Sequence, residues 1–426
     1  MGKKAAVSIL MILLTILVMN ALYKIPSGEI ISQTNDKITI TILAGQSTTD
    51  AGTEAMMEEV LEKRFPDINF EWICVGWGDQ FASQAEGKFV SGDVPDILIG
   101  KAQDVENFWK REMIVPIEGS APSKIEEQSM KLVTKGNDVY GLPYTESFQG
   151  VFYNKEIFKK YSLDVPKTTE ELEHIITVLK ANGIIPFACH FQESWKVGNM
   201  TMQFFMNDIF AENPTWGDEF RQGYRSFQDN SIVKKLFLNN KYILDNSFED
   251  AIQIDQYECD IRFAKGEAAM YLTGTWSLQG ASQVVPNSQI GIFPYPNESG
   301  DAKLLVETNI TFMKGNTGKH EEIVEEILDE IASDQSLAKE IVDYTHSKST
   351  LKELRTYGEI VIQEDVNTYQ QKNEVRNVML GNTQLVWNYQ NDVAKETLLW
   401  LQGKKKLNEV FVYADENRKE SSLNAK

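Results

Sequence analysis

Residues 38–44, with the sequence ITITILA, decide the fold of this chain together with the segment that follows them. Isoleucine alternates with threonine, and this period of two predicts a β-strand. The strand leads into the loop Gly45-Gln46-Ser47. A helix is predicted from about Thr53, because apolar residues then recur at a spacing of four until Phe65-Pro66 ends the pattern. The stretch therefore predicts the first half of an alternating strand and helix unit.

The same alternation continues downstream. The pattern predicts a strand over residues 69–75, a helix over 80–90 and a strand over 95–99. A second run begins with the strand Val151-Phe152-Tyr153, and a helix follows over residues 169–182, capped by Thr168 or Thr169. Alternating units of this kind imply parallel sheets covered by helices on both faces, so the predicted fold class is α/β.

Length and composition predict a globular chain of two lobes. The 426 residues exceed a typical single domain, and the hydrophobic fraction of 42% is enough to build a full core. The formal net charge is −20, from 62 acidic and 42 basic residues, and the chain has no long basic run. Such a surface repels a phosphate backbone, which argues against a nucleic-acid partner.

The N-terminal residues have the features of a targeting segment. Lys3 and Lys4 precede an apolar run over residues 5–19, the charge order and length of a signal-peptide core. No cysteine follows that could carry a lipid anchor of the bacterial lipoprotein kind. We expect residues 1–36 to be a signal or anchor segment with a tether. Cleaved secretion and retention as an uncleaved anchor both stay open, and either places the protein outside the cell.

The sequence contains no motif that indicates a cofactor, a metal or catalysis. Cys74, Cys189 and Cys259 are far apart and odd in number, so we expect buried thiols rather than a disulfide framework or a metal site. The four histidines show no metal-ligand spacing. A phosphate-binding loop, a dinucleotide fingerprint and a nucleophile elbow are all missing. We therefore expect no cofactor and no metal.

Three groups of residues together resemble one known family. The first is Tyr140-Gly141-Leu142-Pro143-Tyr144 with Tyr153-Asn154-Lys155-Glu156 and Val165-Pro166-Lys167-Thr168. The second is Phe263-Ala264-Lys265-Gly266-Glu267-Ala268-Ala269-Met270, followed by Gly274-Thr275-Trp276. The third is Gln192-Glu193, followed by Trp195. In this order and spacing they resemble the bacterial extracellular solute-binding proteins, the family that includes the maltose-binding protein.

The resemblance extends from about residue 38 to residue 414 and implies the class II fold of periplasmic binding proteins. That fold has two α/β lobes with a ligand cleft between them. Lobe one is expected over 37–145 plus 301–346, and lobe two over 146–300 plus 347–426. The implied function is that of a receptor that binds a solute, most simply a mono- or oligosaccharide, and delivers it to the permease subunits of an ABC transporter. A monomer is the expectation for this family.

Tryptophans are the first candidates for ligand contacts. A sugar presents flat C–H faces and a rim of hydroxyls, so its site needs aromatic rings for the faces and polar groups for the rim. By resemblance, the candidate rings are Trp276, Trp195 and Trp387. Each is one of eight tryptophans in the chain, and core packing is the alternative role for all three.

Carboxylates and amides are the candidates for the hydroxyl rim. Glu193 and Glu146 are favoured, because an ionised carboxylate accepts strong hydrogen bonds; a solvated surface acid is the alternative for each. Gln46 and Ser47 follow the first predicted strand, and Lys101 and Asp104 follow the third. Loops at the carboxyl ends of strands are where open α/β sheets bind ligands. The nine candidate residues of the site are Trp276, Glu193, Trp195, Glu146, Trp387, Gln46, Ser47, Lys101 and Asp104.

Other functions remain open at this point. Gly100 stands where maltose-binding relatives carry an aromatic residue, and the glycine-rich segment of the relatives is absent around Val306-Glu307-Thr308-Asn309. The ligand could then be a charged metabolite or a peptide. The same fold could present its ligand to a membrane sensor. A secreted carbohydrate hydrolase would instead use Glu146 and Glu193 as its acid and base.

Overall fold

The structure is a computed structural model that describes residues 37–46, 52–76, 79–284, 289–354, 362–378 and 387–421. The strands are β1 Ile38–Gln46, β2 Ile68–Gly76, β3 Ile97–Gly100, β4 Ile114–Val115, β5 Thr134–Lys135, β6 Asp138–Val139, β7 Leu142–Pro143, β8 Thr145–Asn154, β9 Ile185–Ala188, β10 Ala268–Gly274, β11 Ile290–Phe293, β12 Leu304–Thr308, β13 Thr311–Gly315, β14 Lys348–Ser349 and β15 Val375–Asn377. The α-helices are α1 Thr53–Arg64, α2 Asp79–Ser91, α3 Ala102–Lys110, α4 Glu127–Met130, α5 Lys155–Lys160, α6 Thr169–Ala181, α7 Ser194–Asp208, α8 Trp216–Arg221, α9 Ser231–Asp245, α10 Gln256–Ala264, α11 Ser277–Val284, α12 Glu321–Ser333, α13 Gln335–Thr345, α14 Gln363–Gln371, α15 Trp387–Leu401 and α16 Leu407–Glu416.

The predicted N-terminal segment, residues 1–36, lies outside the described residues. Within the described ranges, none of the helices has both the length and the apolar character needed to cross a membrane.

The first sheet has the strand order β2-β1-β3-β13-β4, with β7 beside β13. β1 and β3 are parallel, with Ile42 opposite Ile97, whereas β13 runs antiparallel to β3. The residues of β3 alternate between two apolar clusters: Ile97 and Ile99 pack into one, and Leu98 packs into the other. The sheet is therefore covered on both faces, as its near-continuous apolar strands require.

The second sheet has the order β15-β12-β8-β10-β9, and β11 and β14 also pair with β8. All but the last of the ten residues of β8 are buried. The largest apolar cluster of the chain surrounds this sheet and includes Phe148, Phe152 and Phe187. Burying each such side chain contributes about 1.5–3 kcal/mol, so this cluster is the main source of stability for the second sheet.

The strand pairing moves one predicted lobe boundary. Residues 301–346 were expected in lobe one, but β12 lies in the second sheet, where Thr308 is opposite Glu146 of β8. The passage to the first sheet comes after Thr308, since β13 begins at Thr311 and pairs with β3. Pairing between strands that are distant in sequence determines this boundary, and local periodicity does not report it.

Side-chain caps begin several helices where polar residues precede an apolar pattern. Asn154, Asn230, Asp255 and Asp334 each accept hydrogen bonds from backbone N–H groups of the first turn. Thr168 does the same for α6, which confirms the predicted cap. The Thr168 side chain accepts from the N–H of Glu171, and the Glu171 side chain accepts from the N–H of Thr168, a capping box.

Replacing Thr168 with alanine should lower the free energy of unfolding by about 1 kcal/mol, because the N–H of Glu171 loses its acceptor. The urea midpoint of unfolding measures this change. Thr177 of the same helix provides the control, since its hydroxyl bonds to the Glu173 carbonyl and caps nothing. T177A should leave stability within about 0.5 kcal/mol. Equal losses in the two variants would contradict the capping role.

Candidate functional site

Three strands of the second sheet end at the same edge. β9 is parallel to β10, and both β10 and β12 are antiparallel to β8, so β9, β10 and β12 run in one direction. Their last residues, Ala188, Gly274 and Thr308, therefore lie at one edge of the sheet. The segments that leave this edge carry His190 and Glu193, then Trp195 in the first turn of α7, and Trp276 in the turn before α11.

The corresponding edge of the first sheet adjoins it. β1 and β3 are parallel and end at Gln46 and Gly100. β13 starts at this edge, because Thr311 is opposite Gly100. Only Asn309 and Ile310 separate β12 of the second sheet from β13 of the first. The short connection brings the carboxyl edges of the two sheets next to each other.

The segments that connect the sheets are hydrogen-bonded to one another. Tyr144 alone separates β7 from β8, and its N–H donates to the carbonyl of Ile310 over 2.7 Å. The N–H of Asn309 donates to the carbonyl of Thr145 over 3.0 Å. The N–H of Thr350 donates to the carbonyl of Tyr144 over 3.1 Å. Three chain segments thus form one strip between the sheets, which is where a hinge between two lobes has to lie.

Trp276 lies in the turn between β10 and α11, half-buried, with its ring folded over Gly274. A Cβ atom at position 274 would be 2.2–2.5 Å from the indole, so this close approach requires glycine. The N–H of Thr275 donates to the Phe148 carbonyl over 3.0 Å and ties the turn to β8. The indole Nε1 is buried and has no hydrogen-bond partner among the described residues. The ring is thus held in place with its one donor unused.

Glu193 and Trp195 lie together at the start of α7. Glu193 precedes the first residue of α7, and its side chain does not cap the helix. Its Oε2 lies 3.6 Å from Nδ1 of His190, whose ring centroid is 5.4 Å from that of Trp195. Burial, together with the nearby charge of Lys196, holds the pKa of His190 well below its ordinary value. The imidazole is therefore neutral at pH 7, and Glu193 keeps its capacity to accept hydrogen bonds.

A buried polar layer lies behind these loops. The Nζ of Lys196 donates to the carbonyl of Leu272 over 2.6 Å and lies 4.6 Å from the centroid of the Tyr271 ring. Burial lowers the pKa of Lys196. Burial also raises the pKa of Asp260 to about 8, although Nε2 of Gln256 donates to its Oδ2 over 3.3 Å and the nearby charge of Lys196 favours the charged form. Ser277 directly follows Trp276, and its hydroxyl is hydrogen-bonded to that of Thr273 over 2.9 Å, which ties the turn that carries the indole to β10.

Two of the three cysteines are buried as predicted. Burial raises the pKa of the Cys189 thiol to about 12 and that of Cys259 well above its ordinary value, so both are inert. The expectation of a buried thiol is wrong for Cys74, which is exposed. Cys74 is in β2, at the edge of the first sheet. None of residues 71–76 of this strand is buried.

The first-sheet candidates are engaged with neighbouring residues. The Nζ of Lys101 bonds to Oε1 of Glu307 over 2.8 Å, and the pair is nearly buried. Oδ2 of Asp104 accepts from the N–H of Lys101 over 2.7 Å, at the start of α3. Burial raises the pKa of Asp104 to about 6. Gln46 donates to Glu54. Lys101 reaches across to the second sheet, whereas Asp104 and Gln46 serve their own loops.

Sequence reasoning missed a chain of buried polar side chains at this junction. Oε2 of Glu307 accepts from Nε2 of Gln149 over 2.9 Å. Oε1 of Gln149 accepts from Nδ2 of Asn199 over 3.1 Å, and Asn199 in turn accepts from Gln203 over 3.0 Å. Together with Lys101, this series of hydrogen-bonded side chains connects the first sheet to β12, to β8 and to α7. Gln149 is opposite Gly274, the residue that Trp276 covers.

Of the remaining candidates, only Glu146 has a described side chain, and it is engaged by its neighbours. Glu146 is 8% exposed; it accepts from the Ser129 hydroxyl over 2.7 Å and lies 3.6 Å from Nζ of Lys348. These contacts favour a packing role in the strip between the sheets. Ser47 lies outside the described residues, and so does the side chain of Trp387, whose backbone begins α15.

Two helix-covered sheets joined by short connections, with aromatic and carboxylate side chains at their facing edges, define a two-lobed α/β binding protein. The chain belongs to the bacterial extracellular solute-binding protein family, which matches residues 44–338. The predicted family and the predicted fold class are both confirmed.

The similar proteins are receptors of transporters. An ABC transporter extracellular-binding protein of Pyrococcus horikoshii is 26% identical over 58% of this chain and 57% of its own length. The multiple sugar-binding protein of Streptococcus mutans is 23% identical over 66% of this chain and 69% of its own. The structure of the solute-binding protein RafE in complex with raffinose is 18% identical, with a TM-score of 0.74 over 91% of this chain and 100% of RafE. The chain thus matches less than two thirds of the length of the Pyrococcus protein.

Proposed function

We propose that this protein is an extracellular receptor that binds a carbohydrate and delivers it to the permease subunits of an ABC importer. The observation that carries the proposal is the Trp276 indole, held over Gly274 at the edge where β9, β10 and β12 end, the same edge that Glu193 follows. Membership of the solute-binding family supports it, and so do relatives whose names state that they bind sugars.

The proposed contacts follow from the chemistry of a sugar. Trp276 stacks on a C–H face of the ring, and its free Nε1–H donates to a hydroxyl or a ring oxygen. Glu193, whose Oε2 has no hydrogen-bond partner among the described residues, accepts from ligand hydroxyls. Trp195 flanks it. We assign Glu146 and Asp104 to packing and capping, and leave Gln46, Ser47 and Trp387 as predictions.

We propose that ligand binding closes two lobes about the strip formed by Tyr144, Asn309 and Thr350. Lobe one would comprise residues 37–143 and 311–346, and lobe two most of the remainder. A ligand that contacts both edges binds the closed state better than the open state, and this difference in affinity drives closure. Closure would present a liganded surface to the permease, and no step of the cycle requires catalysis. Residues 1–36 would direct export of the protein to the outside of the cell.

A thermal-shift screen of the purified protein tests the proposed ligand class. Raffinose, stachyose, maltotriose and chitotriose should include a ligand that raises the melting temperature, because a ligand that binds only the folded state stabilises it. At about a hundred times the dissociation constant the gain is roughly 2.7 kcal/mol. Spermidine, a dipeptide and mannitol serve as comparison compounds. A shift with spermidine or the dipeptide alone would contradict the carbohydrate assignment, and consumption of the sugar would point to a hydrolase.

A further inference from the structure

The ion pair between Lys101 and Glu307 joins the two sheets at the proposed ligand site. Lys101 follows β3 of the first sheet, and Glu307 belongs to β12 of the second. The two side chains are only 17% and 8% exposed, and Nζ and Oε1 are 2.8 Å apart. The second oxygen of the carboxylate accepts from Gln149. Both oxygens of Glu307 are therefore engaged, and the charge of Lys101 is matched by an equal charge beside it.

The amides beyond Glu307 are oriented by its charge. Gln203 donates to Asn199, Asn199 donates to Gln149, and Gln149 donates to Glu307. Every donor in this series points toward the carboxylate, since an ionised carboxylate can only accept. Glu307 thus fixes the orientation of polar groups on β8 and α7 as well as neutralising the lysine.

Among the described residues, the cations near the junction are committed to partners or lack charge. Lys101 is paired with Glu307, and Lys348 lies 2.9 Å from Glu126 and 3.6 Å from Glu146. Lys196 is fully buried and bonds to a backbone carbonyl, and His190 is neutral at pH 7. Glu193, by contrast, carries an oxygen without a hydrogen-bond partner among the described residues. The potential at the site is therefore neutral to negative.

We propose that Glu307 is a specificity-determining residue that makes the site select uncharged polyhydroxylated solutes and reject phosphorylated or carboxylated ones. This inference rests on the proposed function only in taking the junction of the sheets as the ligand site. Lys101 could pair with an anionic ligand at this site only if its bond to Glu307 broke. Glu307, unpaired and nearly buried, would then carry a large desolvation cost.

The test compares wild type with E307Q by titration calorimetry, with raffinose as the neutral probe and sn-glycerol 3-phosphate as the anionic probe. The amide keeps an acceptor for Gln149 and removes the negative charge that competes with a phosphate for Lys101. Affinity for sn-glycerol 3-phosphate should rise at least about tenfold over wild type. K101M/E307Q should lose this gain, because the cation that holds the anion is absent.

D245N is the matched control, since Asp245 pairs with Lys241 on the exposed face of α9 and the variant has the same change in net charge. It should bind both probes as wild type does. A reciprocal variant covers the case in which E307Q does not fold: K101M leaves Glu307 unpaired and should bind spermidine at least about tenfold more tightly than wild type. If E307Q folds and gains no affinity for the anion, or if wild type binds the anion, the inference is wrong.

The proposed function fails separately from this inference. If wild type binds no sugar while E307Q gains anion affinity that depends on Lys101, Glu307 still determines charge selectivity and the carbohydrate assignment alone is lost. If wild type binds raffinose and E307Q shows no change in anion affinity, the carbohydrate assignment stands and the role of Glu307 is lost.

Discussion

Replacing Trp276 with alanine should weaken binding of the sugar found in the ligand screen by about 1–3 kcal/mol, or roughly 5- to 150-fold. The variant loses both the stacking surface and the only donor of the indole. Its ring covers Gly274. Calorimetric titration of the purified variant measures the loss. W276F should recover part of the affinity, because phenylalanine keeps an aromatic face and lacks the N–H.

Trp216 is the matched control for this substitution. It is 4% exposed, stacks on Phe220 with ring centroids 5.3 Å apart, and belongs to the apolar cluster around the second sheet. W216A should lower the free energy of unfolding by about 3–5 kcal/mol and leave the affinity of the folded fraction unchanged. Full affinity in W276A would remove Trp276 from the site. Equal loss of affinity in both variants would mean that W276A acts through stability alone.

Much of the fold was predictable because its signals are local. The alternation of isoleucine and threonine predicted β1, and the polar residue before an apolar pattern predicted the start of α6 at Thr169. The membership of β12 was not predictable in this way. Its partner β8 lies about 160 residues earlier in the chain, and the same apolar run could belong to either sheet. Cys74 was misjudged for a related reason, since only the strand order shows that β2 is at an edge.

The same difference between local signals and long-range contacts decides which residues of the candidate site could be predicted. Trp276, Glu193 and Trp195 occur in short segments that resemble a known family, so sequence could nominate them together. No segment of this kind contains Glu307, Gln149 or Asn199. The hydrogen bonds that join them connect residues 158 and 50 positions apart in the sequence. The one available signal was Gln149, a polar residue within FQGVFY, the apolar part of β8. A buried amide needs a partner, and sequence alone does not identify it.

The polar layer behind Trp276 links stability to pH. Asp260 has a pKa of about 8 in the folded protein and 3.8 as an ordinary aspartate, and burial is the principal cause. Between these values the folded state holds a proton that the unfolded state releases. The contribution of protonated Asp260 is therefore fully present below about pH 4 and is lost as the pH rises to about 8. A negative charge at this position is costly because Asp260 is 2% exposed.

D260N should remove this dependence, because the amide is neutral at every pH and can keep the hydrogen-bonding geometry. The stability of D260N minus that of wild type should increase from pH 5 to pH 8, by up to about 1.4 kcal/mol per unit, and then level off. Urea unfolding of both proteins across this range measures it. E258Q is the control, since Glu258 is on the same helix with its side chain 55% exposed. Parallel profiles for D260N and wild type would show that Asp260 is ionised in the folded protein, with Lys196 as its effective counter-charge.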